Sequence, residues 1–150
     1  MNRKVTIGLA VAAAMFILLI GLAAYSVYEV AEFGAGKAAF DKGYAAEFRH
    51  EYAAAIENFD STLRKPTTRY WRAYALDNRA YCYQQLHRRI EAIHDYSEAL
   101  KLLPRLADAR AGRGFLYEDE GKGDLAFDDF SEAIRLNPNL PYVWYHRGLF

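Results

Sequence analysis

Cysteine is almost absent from this chain. Cys82 is the single cysteine in 150 residues, so no intramolecular disulfide can form. It lies in the helical stretch ALDNRAYCYQQL with aromatics on both sides, a setting in which a thiol is read as buried and inert. Proline is scarce: Pro66, Pro104, Pro138 and Pro141 are all there are, and the first 65 residues hold none. Net charge is absent too, with 19 basic against 19 acidic residues. Setting aside Arg3 and Lys4 leaves 17 against 19, a balance of −2 that gives no electrostatic footprint for nucleic acid. Chemistry is missing as well. His50, His87, His94 and His146 share no metal-ligand spacing, and there is no Cys-x-x-Cys, P-loop, dinucleotide fingerprint or Ser-His-Asp arrangement. GFLYEDEGKGD lacks the alternation of a calcium loop, and Arg88 and Arg89 in LHRRIEAIHD read as a solvated turn. An enzyme is not expected, nor a cofactor or a bound metal.

One long hydrophobic run is present. Arg3 and Lys4 precede 24 uncharged residues, Val5 to Tyr28, before Glu29. As a helix this run spans roughly 36 Å, enough for a hydrocarbon core of about 30 Å. Residues 1–30 are thus expected to be a single signal-anchor or signal-peptide segment, meeting the membrane through 5–28. Length favours retention. Small residues at Gly21-Leu22-Ala23 and Ala24-Tyr25-Ser26 leave cleavage, and a soluble periplasmic or secreted product, as the alternative. The positive-inside bias places the N-terminus in the cytoplasm and everything after Tyr28 across the membrane, the periplasm in a bacterium, where the anchor sits in the inner membrane. Gly8 and Ala12, and Ala10 and Ala14, sit four apart, but an Ala-rich segment gives such pairs by chance.

The rest of the chain repeats itself. Laying Ala73–Leu106 over Ala107–Leu140, at an offset of 34 without a gap, makes 12 of 34 positions identical. Chance gives roughly two or three. Arg79 aligns with Arg113, Tyr83 with Tyr117, Asp95 with Asp129 and Pro104 with Pro138. Each unit reads as two short helices. In the later copy Ala109, Ala111, Phe115, Leu116 and Tyr117 recur at helical spacing; GKGD breaks the pattern; Leu125, Phe127, Phe130, Ala133, Ile134 and Leu136 resume it. Asn137-Pro138 stops the second helix. Neither helix can bury its stripe alone, so the units must stack.

This pattern resembles the tetratricopeptide repeat, a helix–turn–helix family. Its small eighth residue matches Ala80 and Gly114, its aromatic eleventh Tyr83 and Tyr117, and its small twentieth Ala92 and Ala126. The aromatic twenty-fourth matches Tyr96 and Phe130, the small twenty-seventh Ala99 and Ala133. A degenerate first copy has Gly43, Ala55 and Phe59 in register, with Ala46 where an aromatic is expected and Thr62 replacing alanine. It carries three extra residues within Thr67–Arg72, and Pro66 arrives one residue early. The resemblance implies an all-α α-solenoid over 36–150, with repeats 36–72, 73–106 and 107–140 and a partial fourth at 141–150. PYVWYHRGLF is read as the first helix of a unit cut short, a natural cap being the alternative, and as an end that self-associates through Trp144, Leu149 and Phe150.

In this family first helices line a concave groove. Carried over, the first unit places Lys37, Phe40, Asp41, Tyr44 and Glu47 there, and the second Tyr74, Asp77, Asn78, Tyr81 and Gln85. The third places Asp108, Phe115, Glu118 and Asp119, and the partial unit Tyr142, Tyr145 and His146. The partner-binding set drawn from these is Phe40, Tyr44, Tyr74, Asp77, Asn78, Tyr81, Asp108, Phe115, Glu118, Tyr142 and Tyr145. Tyr44, Tyr81 and Phe115 form an aromatic ladder among carboxylates. The implied function is a protein–protein interaction scaffold whose groove takes a peptide or protein partner, one with apolar anchors and some positive charge. The alternative is a structural segment of a longer solenoid or homo-oligomer with no dedicated peptide ligand. Of the lysine, asparagine and arginine set with which some members grip a chaperone's C-terminal carboxylate, only Asn78 is present; Asp108 and Gly112 stand where the third unit's cations would be.

Overall fold

The computed structural model describes the backbone of residues 3–65 and 67–150, and the side chains of 15–28, 31, 34–65 and 67–150. Pro66 and the first part of the apolar run lie outside the described side chains. Seven helices follow one another: α1 (Arg3–Phe48), α2 (Tyr52–Arg64), α3 (Arg69–Gln85), α4 (Arg89–Leu102), α5 (Ala107–Asp119), α6 (Gly123–Leu136) and α7 (Pro141–Arg147). Each packs on the next, and α3 also touches α1 and α5. That is an all-α solenoid of stacked helix pairs.

The short connector expected between apolar segment and first repeat is helical. α1 runs unbroken through it to Phe48. Among the described residues no helix is long and apolar enough to cross a membrane. The described part of the run, Met15 to Tyr28, nonetheless exposes every one of its large apolar side chains.

Small and aromatic residues alternate through the core because helix backbones approach closely at fixed places in each unit. Ala55, Ala92 and Ala126 are fully buried, as are Phe59 and Phe130, with Tyr96 close behind. A methyl group on Gly114 would lie 2.7 Å from the Phe130 ring, so this crossing admits no side chain at all. In the second unit Ala80 stands at that crossing, and Tyr96 instead reaches across to Gly112, where a Cβ would meet its ring 2.4 Å away. Thr62 is fully buried yet satisfied: its single hydroxyl proton is shared between the Gly36 carbonyl at 3.3 Å and the Asn58 carbonyl at 3.2 Å, tying α2 to α1. The extra residues before Ala73 become the first turn of α3, where Thr68 Oγ1 accepts from the Trp71 amide at 3.3 Å.

The aligned arginines and aspartates form a buried ion pair inside each full repeat. Arg79 Nε donates to Asp95 Oδ2 at 2.6 Å, and Arg113 Nε to Asp129 Oδ2 at 2.7 Å. Each guanidinium also reaches the preceding unit, Arg79 to Asp60 and Arg113 to Ser97 Oγ at 3.1 Å. One side chain thus joins three helices.

His50, His87 and Gly121 occupy the same helix–helix turn, with φ of 61°, 58° and 70°. Left-handed backbone costs a non-glycine residue roughly 1–2 kcal/mol. His50 offsets part of this through Tyr52, whose hydroxyl lies 2.8 Å from its Nδ1. His87→Gly is therefore expected to stabilise the fold by about 0.5–1 kcal/mol, net of the added freedom of the unfolded chain. His50→Gly should gain less; thermal melts of the two variants check the order.

α7 covers Phe130 and Ile134 through Val143, which is fully buried. Phe127 and Leu125, from the same apolar run of α6, lie off that packed face and remain exposed. The Arg147 guanidinium sits 6.0 Å from the Phe127 ring centroid.

Candidate partner-binding groove

The inner helices of the stack open on a hollow of about 510 Å³. Of the partner-binding set, Tyr44, Asp77, Asn78, Tyr81, Asp108, Phe115 and Tyr142 all line it. Four others do not. Phe40 is half-buried, its ring 5.6 Å from Phe59 and 5.0 Å from Trp71, and serves as a wedge between units. Tyr74 faces a separate depression beside Tyr70 and Leu103. Glu118 is bound to His146, 2.7 Å from its Nδ1, and Tyr145 packs edge-on against the same imidazole.

The aromatic ladder is uneven. Tyr44 is 57% exposed and Tyr81 39%, so both offer ring surface to a ligand. Phe115 is half-buried, stacked on Tyr142 at 5.9 Å and tilted against Phe130 at 5.0 Å. It holds α5 to its neighbours as much as it lines the groove.

Carboxylates floor the hollow. Glu47 on α1 and Asp77 on α3 converge there with Asp108 on α5. Burial pushes Glu47 up to about 7. Burial, then the charges of Asp108 and Glu47, push Asp77 up to about 7 as well. Glu47 Oε2 is buried with no hydrogen-bond partner among the described residues. The same environment raises the Cys82 thiol to about 12, first by burial and then by the Glu47 charge, which leaves it unreactive.

The partner-binding set drawn from the sequence missed part of this floor. Glu47 belongs to it, and so do Gln84 and Tyr96, whose hydroxyl donates to Gln84 Oε1 at 3.1 Å. Tyr96 belongs to an outer helix. Its reach into the groove depends on the missing side chain at Gly112, a signal that a glycine in an inner helix carries without saying what fills the space.

Stacked helix pairs with a concave inner face define an α-solenoid repeat protein. Residues 73–106 match the family model of the tetratricopeptide repeat, and the solenoid has the fold of domains built from that repeat. An Arabidopsis OM64 TPR domain superposes with a TM-score of 0.71 at 20% identity, over 79% of this chain and 95% of that one. The first TPR of Spaghetti (RPAP3), bound to the HSP90 peptide SRMEEVD, gives 0.72 at 20% identity, over 78% and 90%. By sequence, photosystem I assembly protein Ycf3 of Prochlorococcus marinus is 26% identical over 83 residues, 55% of this chain and 48% of that protein. The chain therefore spans about half the length of this curated relative. Tetratricopeptide-repeat proteins are generally non-enzymatic scaffolds for protein–protein interaction.

Proposed function

We propose that this chain is a membrane-tethered scaffold whose groove takes a peptide or protein partner on the non-cytoplasmic side of a bacterial inner membrane. The observation that carries the binding reading is the hollow itself: two exposed tyrosine rings over unpaired carboxylates, with no lysine or arginine among the described residues lining it. A peptide ending in acidic residues, like the one held by the Spaghetti domain, is opposed by that charge; a partner with basic residues between apolar anchors is favoured. The tether rests on the uncharged run after Arg3 and Lys4 and on the exposed apolar side chains of Met15 to Tyr28. Mass spectrometry of the mature N-terminus separates a retained anchor from cleavage near Ala23 or Ser26. α1 passes from that run into the first repeat without a break, which would hold the groove at a set distance from the bilayer.

The test is a photo-crosslinking amino acid placed at Asn78 in the groove, and at Glu57 on the outer helix α2, in native membranes. An adduct of defined mass is expected from Asn78 and not from Glu57. Tyr44→Ala with Tyr81→Ala should lower its yield at least tenfold with an unchanged melting curve. Phe115 is unsuitable here because its loss loosens α5 from α6 and α7. Equal labelling from both faces would sink the groove reading. The alternative, packing on further repeats or on another copy, is favoured by the exposed apolar residues Phe127, Trp144, Leu149 and Phe150 at the far end. It predicts that adducts arise from that end instead.

A further inference from the structure

Consecutive helices run in opposite directions, so the connectors fall at two ends of the solenoid. The fold divides the charge between those ends. Counting each connector with four helical residues on either side, 61–72, 99–110 and 133–144 hold eight basic residues and one acidic, Asp108. The turns at the other end, 45–55, 82–92 and 116–126, hold four basic and seven acidic. At the acidic end every cation is paired: Arg49 with Glu51, Arg88 with Glu91, Arg89 with Asp119 and Lys122 with Glu120. At the basic end Lys101 and Arg135 have Glu98 and Glu132 one turn back. Arg64, Arg69 and Arg105, all exposed, make no side-chain hydrogen bond or ion pair among the described residues. Arg69 and Arg105 come from different repeats and line one hollow of about 300 Å³, together with Tyr70, Tyr74 and Pro104. Unpaired like charges held together gain the fold nothing, and they form an electrostatic footprint for an anionic surface.

The basic end is also the end from which α1 departs. Thr62, in the last turn of α2, reaches α1 at Gly36, and the Lys37 ammonium lies 5.7 Å from the centroid of the Trp71 ring. From that level α1 continues unbroken toward its N-terminus, where Met15 to Tyr28 expose their large apolar side chains. Glu29 and Glu32 are the acidic residues between that run and the solenoid. The helix rises about 12 Å from Tyr28 to Gly36. A headgroup layer fills roughly 5–8 Å of that distance, and the remainder is within the Debye length of about 8 Å at physiological salt. We propose that the basic end of the solenoid docks on the anionic phospholipid headgroups of the membrane that holds α1, with a lipid phosphate seated between Arg69 and Arg105. The proposal rests on the apolar run being inserted in that membrane. Guanidinium forks match phosphate oxygens in pairs, and the exposed rings of Tyr70 and Tyr74 suit the boundary between headgroup and acyl chain. Docked in this way, the solenoid points its acidic turns away from the bilayer.

The full chain is reconstituted in vesicles of phosphatidylcholine, with or without one-quarter phosphatidylglycerol, whose headgroups carry an acceptor dye. A donor dye is placed on Asn139→Cys at the basic end or on Asp119→Cys at the acidic end, both exposed; Cys82 is buried and stays unlabelled. Energy transfer from Asn139→Cys should rise at least twofold when phosphatidylglycerol is present. It should fall back in about 0.5 M salt, where screening confines the attraction to a few ångströms. Transfer from Asp119→Cys should not rise. Arg69→Ala with Arg105→Ala should remove at least half of the gain with an unchanged melting curve, because neither guanidinium holds the fold. Arg89→Ala, at the acidic end, should leave the gain intact. Equal transfer with and without phosphatidylglycerol, or a full gain in the double variant, overturns the proposal. So does a gain that appears only in native membranes, since an acidic protein is then the occupant. The tether fails separately: if alkaline carbonate strips the chain from phosphatidylcholine vesicles, the anchor falls. Flotation with anionic vesicles alone, lost in the double variant, would still uphold the basic end.

Discussion

Arg113→Ala should destabilise the third repeat by about 3–5 kcal/mol, the range for removing one member of a buried ion pair. Asp129 is only 5% exposed, so without its guanidinium it keeps a charge that solvent barely reaches. Arg110 offers partial relief, since its Nη1 lies 3.4 Å from Asp129 Oδ1. Asp129→Ala should cost less, because Arg113 is 21% exposed and retains Ser97 as an acceptor. The double variant Arg113→Ala/Asp129→Ala should cost less than the sum of the two singles, since removing both partners leaves no orphan charge. Urea unfolding followed by circular dichroism measures all three. An Arg113→Ala loss under about 1 kcal/mol would show that the pair is spectator chemistry on a fold held by packing alone.

Acidification from pH 8 to pH 5.5 is expected to raise the melting temperature by several degrees. Glu47 and Asp77 have carboxyls raised to about 7 in the folded protein, against 4.5 and 3.8 for the unperturbed groups. Between those values the folded chain binds more protons than the unfolded one. Stability is therefore full below the unfolded values, declines as pH rises through about 7, and is flat above. On the surface, Glu51, Glu91, Glu98 and Glu132 behave oppositely, held below the ordinary carboxylate range by Arg49, Arg88, Lys101 and Arg135. Their small contributions are lost on acidification through the low end, which places the optimum near about pH 5. Asp77→Asn should make the upper half of the profile shallower, with Glu47 keeping the remaining slope, and leave the acid limb unchanged. A profile that rises from pH 5.5 to pH 8 would mean that the floor carboxylates are solvated and paired.

The sequence by itself determined the architecture. A 34-residue offset, small residues where helices cross and prolines after every second helix in the two full repeats are local, periodic signals, and packing repeats them unit after unit. It also placed most of the groove, because residues at equivalent positions of stacked units must share a face. Tertiary structure alone decided what those faces do. Periodicity carries no information about whether an aligned Arg and Asp touch, yet Arg79 finds Asp95 because two helices fold back on each other. Phe40 looked like a groove anchor, but the three residues added before Ala73 lengthen α3 and bring Trp71 against it. Glu47 and Asp77 lie on different helices of different repeats, and each alone is an ordinary surface carboxylate. Only the packing of α3 against α1 and α5 half-buries them and sets their charges against one another, because burial and Coulomb repulsion depend on distance in space and not along the chain.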